Sequence, residues 1–195
     1  MVSDDSEAGI PNAVKILIAG GFGVGKTTMV GAVSEIAPMS TEELLTEAGV
    51  GVDDLAGIED KKTTTVALDF GRITLSPEVI LYLFGTPGQG RFWFMWDELA
   101  HGALGAVVLA DTRRLDTCFP SIDFFERRNV PFVIAVNCFE GAQRHKVEDV
   151  RVALDLDPGV PVVLFDAREP MGARNVLIEL VEYVARRQLA AAGSR

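Results

Sequence analysis

Gly20-Gly21-Phe22-Gly23-Val24-Gly25-Lys26-Thr27 fits the pattern G-x-x-x-x-G-K-S/T. Glycines reach backbone angles that other residues avoid, so successive N–H groups in such a loop can turn toward one point and form a nest for an anion. The Lys26 ammonium is then placed to reach the outer phosphates of a nucleotide, and the Thr27 hydroxyl to ligate Mg2+. An apolar strand at 14–19 leads into the loop, and a helix starting near Lys26 adds the positive end of its dipole. Strand, glycine loop and helix in that order predict a P-loop. Its expected phosphate contacts are Gly20, Gly21, Gly23, Val24, Gly25, Lys26, Thr27 and Thr28.

Outward from this loop, strand-like and helical stretches alternate. Runs that are apolar at every position lie at 106–110, 132–136 and 160–165, as suits parallel strands covered on both faces. Residues 65–75 and 79–84 flank Ser76-Pro77-Glu78 and predict an antiparallel hairpin, with Val66, Leu68 and Phe70 alternating onto one face. Helices are predicted at 120–128, 147–154 and 173–189, the last with Leu177, Leu180, Val181 and Val184 as its apolar stripe. Ser40-x-x-Glu43 is a capping-box pattern and predicts a short helix there. The alternation gives an α/β P-loop fold: an open sheet of about six mainly parallel strands with one antiparallel edge, and helices on both faces. Ligands in such sheets bind beyond the carboxyl ends of the strands, where the glycine loop sits.

The chain has 195 residues, one domain's worth, with residues 1–12 expected as an acidic tail and 13–191 as the domain. A 48% hydrophobic composition supports a sizeable core. With 28 acidic against 18 basic side chains the net charge is −10, which repels phosphate backbones and argues against nucleic acid as a partner. No apolar run approaches the ~20 residues that span a bilayer. The acidic start does not read as a signal peptide, and no lipidation motif stands at either end. Cys118 and Cys138 have neither disulfide-framework nor zinc spacing, so a cytoplasmic location is expected.

Beyond the glycine loop, Thr63-Thr64-Thr65-Val66-Ala67-Leu68-Asp69-Phe70 and Phe84-Gly85-Thr86-Pro87-Gly88-Gln89 resemble the two switches of Ras-like small GTPases. The resemblance implies GTP and GDP as ligands with Mg2+. It implies Thr65 as a second metal ligand, Gly88 as a γ-phosphate contact and Gln89, with Lys26, as the catalytic residues. Where the family's second switch opens with an aspartate that holds a magnesium-bound water, this chain has Gly85, so a second-shell anchor is expected to be lost. Asn137-Cys138-Phe139-Glu140 stands where the family has Asn-Lys-x-Asp, and Asp166-Ala167-Arg168 where it has Ser-Ala-Lys. By position, Asn137, Glu140, Asp166, Ala167 and Arg168 would read the base; their chemistry leaves guanine and adenine both open, with guanine favoured.

The overall pattern is similar to the small GTPase-like proteins of actinobacterial conservons, relatives of the bacterial gliding-motility GTPases. That resemblance implies a signalling switch with slow hydrolysis, working beside a roadblock-type protein and, through partners, a membrane sensor-kinase complex. Phe92-Trp93-Phe94-Met95-Trp96 is either core or partly a partner surface, since one helix cannot bury all five against its own sheet. A scaffold that holds nucleotide without hydrolysing it, and a small-molecule kinase, are the competing classes.

Overall fold

The computed structural model describes residues 10–37, 39–45, 64–88 and 94–193. Seven strands form one sheet: β1 (Asn12–Gly20), β2 (Met39–Leu45), β3 (Thr64–Ser76), β4 (Val79–Gly85), β5 (Gly105–Ala110), β6 (Phe132–Asn137) and β7 (Val162–Phe165). Their order is β2-β3-β4-β1-β5-β6-β7. β4, β1, β5, β6 and β7 pair in parallel, while β3 is antiparallel to both β4 and β2. The helices are α1 (Lys26–Val33), α2 (Phe94–Ala100), α3 (Phe119–Arg127), α4 (Val147–Ala153) and α5 (Pro170–Gly193).

The all-apolar strands are buried on both faces because alternate side chains serve two cores. Ile16, Ile18, Leu81, Leu83, Val107 and Leu109 pack with α1 and α5. Leu17, Ala19, Val108, Ala110, Ile134 and Val136 pack on the opposite face with α3, α4 and Trp96 of α2. The open, mainly parallel sheet with helices on both faces is as expected, and the hairpin β3–β4 lies where Ser76-Pro77-Glu78 placed it.

Two local expectations are corrected. Residues 39–45 form strand β2 rather than the helix suggested by Ser40-x-x-Glu43, since pairing along the free edge of β3 outweighs a local capping pattern. In α5, Leu177, Leu180 and Val184 are buried with Ala173 and Val176, but Val181 is 44% exposed. The buried stripe is centred toward Leu180, and Val181 falls about 100° beyond it. Among the described residues no helix is long and apolar enough to cross a membrane.

Candidate functional site

The carboxyl ends of β1, β4, β5, β6 and β7 meet at one edge of the sheet. From β1 the loop 20–25 turns directly into α1, whose first residue is Lys26. Gly25 has φ of 105°, and a Cβ there would stand 2.7 Å from the Asn137 side-chain amide. Only glycine serves both requirements. The Lys26 ammonium donates to the carbonyls of Gly20 at 3.0 Å and Gly21 at 2.8 Å, which hold it over the mouth of the loop. Burial lowers its pKa to about 8, against an opposing pull from Asp69. Gly88 closes on the same group: a Cβ there would lie 2.8 Å from the Lys26 nitrogen and 3.1 Å from the Gly21 carbonyl oxygen. The segment after β4 therefore crosses the glycine loop, uniting Gly88 with Gly21 and Lys26.

Thr27, the next residue, donates its hydroxyl to Asp69 Oδ2 at 2.8 Å. Asp69 comes from β3, one residue before the Phe70–Phe84 pair, and is buried against Gly85. A Cβ on Gly85 would stand 2.9 Å from the Asp69 Cβ and 3.0 Å from Oδ2. The space where a side chain at 85 would begin is thus filled by a carboxylate delivered from the neighbouring strand. Gly85 itself brings no side chain, and the carboxylate beside it belongs to Asp69 of β3. The Thr86 hydroxyl beside it is buried without a hydrogen-bond partner among the described residues.

At the other end of the site, Asn137 is buried and ties two loops together. Its amide nitrogen donates to the Val24 carbonyl and its oxygen accepts from the Ala167 N–H, both at 3.0 Å. Ala167 therefore spends its amide on Asn137. Glu140 is open to solvent, with its carboxylate 3.8 Å from the Arg168 guanidinium. Arg168 grips Asp166 through Nε and Nη2, which pulls the Asp166 pKa down to about 2 and raises that of Arg168. The base-reading candidates are thus neighbours, strung as Glu140–Arg168–Asp166 along the rim.

The remaining predicted residues divide. Val24 buries its side chain in the core and offers only backbone, while Thr28 stands exposed on α1. Thr65 lies in β3 opposite Leu44, four residues and about 13 Å along the strand from Asp69. Gln89 lies outside the described residues, as do Phe92, Trp93 and the acidic stretch after Leu45. Trp96 is core, 3% exposed against Phe124 and Phe125, whereas Phe94 is 62% exposed.

Residues that sequence reasoning did not single out complete the site. Besides Asp69, Asp111 at the end of β5 is fully buried and accepts from Arg113 Nε at 2.9 Å and Nη2 at 2.8 Å. That fork holds the Asp111 pKa below the usual carboxylate range. The Arg113 guanidinium in turn covers the Phe139 ring at 4.1 Å, bracing the loop that carries Glu140. An acid at the end of an apolar strand, followed by two arginines, was the visible signal.

Residues 18–187 match a family described as conserved hypothetical ATP binding proteins. The chain belongs to that family. It is 32% identical over 126 residues to the uncharacterized protein MJ1339 of Methanocaldococcus jannaschii, covering 64% of this chain and 69% of that one. Among solved structures it is similar to the G domain of the T. maritima FeoB iron transporter, at 20% identity and TM-score 0.60, over 88% of this chain and 99% of that chain. It is also similar to the cytosolic domain of that transporter in a GDP form, at 19% identity and TM-score 0.62, over 90% and 65% of the respective chains. These structures share the fold of this family member: an open, mainly parallel α/β sheet with a P-loop after its first strand.

Proposed function

We propose that this chain is a guanine-nucleotide-binding switch with slow, Mg-dependent GTP hydrolysis. The observation that carries it is the Thr27 hydroxyl bonded to the Asp69 carboxylate at 2.8 Å, immediately beside Lys26 over the glycine loop. Two hard oxygen donors next to a lysine aimed at phosphates suit a magnesium nucleotide. The residues present fit the ion: Thr27 would ligate it, Asp69 would hold its water shell, and Thr65 would join when the first switch closes. Bound there, Mg2+ would neutralise charge on the phosphates. Lys26 pairs with the β- and γ-phosphate oxygens, Gly88 offers its N–H to the γ-phosphate, and Gln89 orients the attacking water.

The base end supports guanine. An exposed carboxylate such as Glu140 accepts two N–H donors from one edge of guanine, while adenine presents one donor and one acceptor on the corresponding edge. The FeoB relative that was crystallised in a GDP form is consistent with this choice, and the family's description as ATP binding names the competitor. Regulation through a roadblock-type partner, and through it a membrane sensor-kinase complex, completes the proposal. The exposed Phe94, next to the second switch, is its suggested contact.

A second reading, a nucleotide-holding scaffold without significant hydrolysis, is favoured by Gly85 and Cys138, which stand where small GTPases carry an aspartate and a lysine. Nucleotide extracted from purified protein and identified by chromatography, followed by single-turnover assay, decides between them. Guanine nucleotide with measurable turnover supports the switch. Guanine nucleotide without turnover supports the scaffold, and adenine nucleotide alone contradicts the guanine assignment.

A further inference from the structure

Arg113 and Arg114 share one buried carboxylate unequally. Arg113 takes both oxygens of Asp111 at 2.9 and 2.8 Å, leaving the Arg114 guanidinium 3.6 Å from Oδ2. That same nitrogen, Arg114 Nη2, also reaches over the glycine loop and donates to the Phe22 carbonyl at 3.2 Å. The nearest atom to a Cβ placed on Gly23 would be that same Nη2, at 3.6 Å. One end of the guanidinium therefore lies across Phe22 and Gly23, next along the loop from the Gly20 and Gly21 carbonyls that hold Lys26.

The backbone of Arg114 is fixed in this position. Its N–H donates to the Asp111 carbonyl at 2.9 Å, and its own carbonyl accepts from the Thr117 N–H at 3.1 Å and hydroxyl at 2.8 Å. Thr117 is pressed against Gly21, where an added Cβ would meet it at 2.7 Å. The turn after β5 is thus docked on the glycine loop with a half-exposed arginine at its tip. Guanidinium carries five N–H donors, and among the described residues Nη2 alone forms a hydrogen bond, to a neutral carbonyl.

We infer that Arg114 is an arginine this chain supplies to its own nucleotide, contacting the phosphates during hydrolysis. The inference rests on the hydrolase reading above. In that reaction the water oxygen bonds to the γ-phosphorus and the bond from γ-phosphorus to the β–γ bridging oxygen breaks. The bridging oxygen leaves with the electron pair on the nucleoside diphosphate, and the water's proton goes to solvent through the phosphate product. Charge grows on the leaving oxygen and the transferring group, where an arginine acts most strongly. The position also agrees with the rest of the chain. No arginine precedes Arg72, and Arg72 lies on β3 with its Nε 4.0 Å from Glu35.

The test compares wild type, Arg114→Ala and Arg114→Lys in single-turnover GTP hydrolysis, GDP titration and binding of GDP with aluminium fluoride, with thermal melts to confirm folding. The expected result is a roughly hundredfold or greater loss of rate in Arg114→Ala. GDP affinity should stay within about threefold, the aluminium fluoride complex should be lost, and lysine should restore little because it cannot fork. Unchanged turnover in Arg114→Ala, or a loss of GDP affinity as large as the loss of rate, overturns the assignment and leaves Arg114 a brace for the loop. If wild type neither hydrolyses GTP nor takes up aluminium fluoride, the hydrolase reading itself fails and this inference falls with it.

Discussion

Asp69 fills the space that a side chain on Gly85 would need: a Cβ at 85 would approach the Asp69 Cβ to 2.9 Å. Two adjacent strands thus carry one carboxylate between them, and β3 is the strand that holds it. Asp69→Asn is expected to weaken the Mg2+ dependence of GDP binding by roughly 10- to 100-fold, the usual effect of losing an outer-shell partner. Gly85→Asp alone should clash, while the exchange Asp69→Gly with Gly85→Asp should recover part of the binding. Magnesium titrations of GDP affinity check this, and an Asp69→Asn protein with wild-type magnesium dependence would remove Asp69 from the site.

Lys26 gives the site a pH signature. Its pKa is about 8 in the ligand-free protein, because burial disfavours the ammonium. Phosphate oxygens beside it favour the charged form, so above pH 8 binding takes up a proton and affinity falls, by up to about tenfold per pH unit. The ligand-free fold has the opposite slope. Between pH 8 and the ordinary lysine value the unfolded chain holds more protons than the folded one, so this group makes the fold more stable as pH rises. Calorimetry at pH 8.5 in buffers of different ionisation heat should show proton uptake on binding GDP; absence of uptake would mean that Lys26 does not meet phosphate.

Gln89→Leu should slow hydrolysis while leaving GTP affinity nearly unchanged, because orienting a water acts in the transition state and not on ground-state binding. Single-turnover rates beside equilibrium titrations read the two effects separately. An unchanged rate would leave Gln89 idle and favour the scaffold reading.

The aromatic segment separates into core and surface. Trp96→Ala removes a ring packed on Phe124 and Phe125 and should cost about 3–5 kcal/mol of stability. Phe94→Ala should leave the melting temperature nearly unchanged and weaken capture of a roadblock-type partner. Denaturant melts and a pull-down with that partner measure both. Normal capture by Phe94→Ala would remove Phe94 from the proposed contact.

Much of this architecture was legible in the residues because the deciding signals are local. The spacing of glycines before Lys26 defines the loop, and apolar runs bounded by turns define the parallel strands. The features that escaped depend on register between distant segments. Asp69 reads as one more polar residue on an alternating strand until β3 is set against β4 and its carboxylate is found beside Gly85. Ser40-x-x-Glu43 carries a genuine local preference that the free edge of β3 overrides. Trp96 and Phe94 are two residues apart in one aromatic run, and only the packing of α2 decides that one is core and the other surface.

The central claim is that this P-loop holds a magnesium guanine nucleotide, and titration calorimetry with GTP, GDP and ATP, each with Mg2+ and with chelator, tests it most directly. The account predicts that GTP and GDP bind with Mg2+ at least about tenfold more tightly than ATP, the discrimination one lost carboxylate–base hydrogen bond would give. Chelation should lower both guanine affinities, and Lys26→Ala should abolish binding in a protein that still melts cooperatively. Equal affinity for ATP and GTP, or guanine binding indifferent to Mg2+, would contradict it.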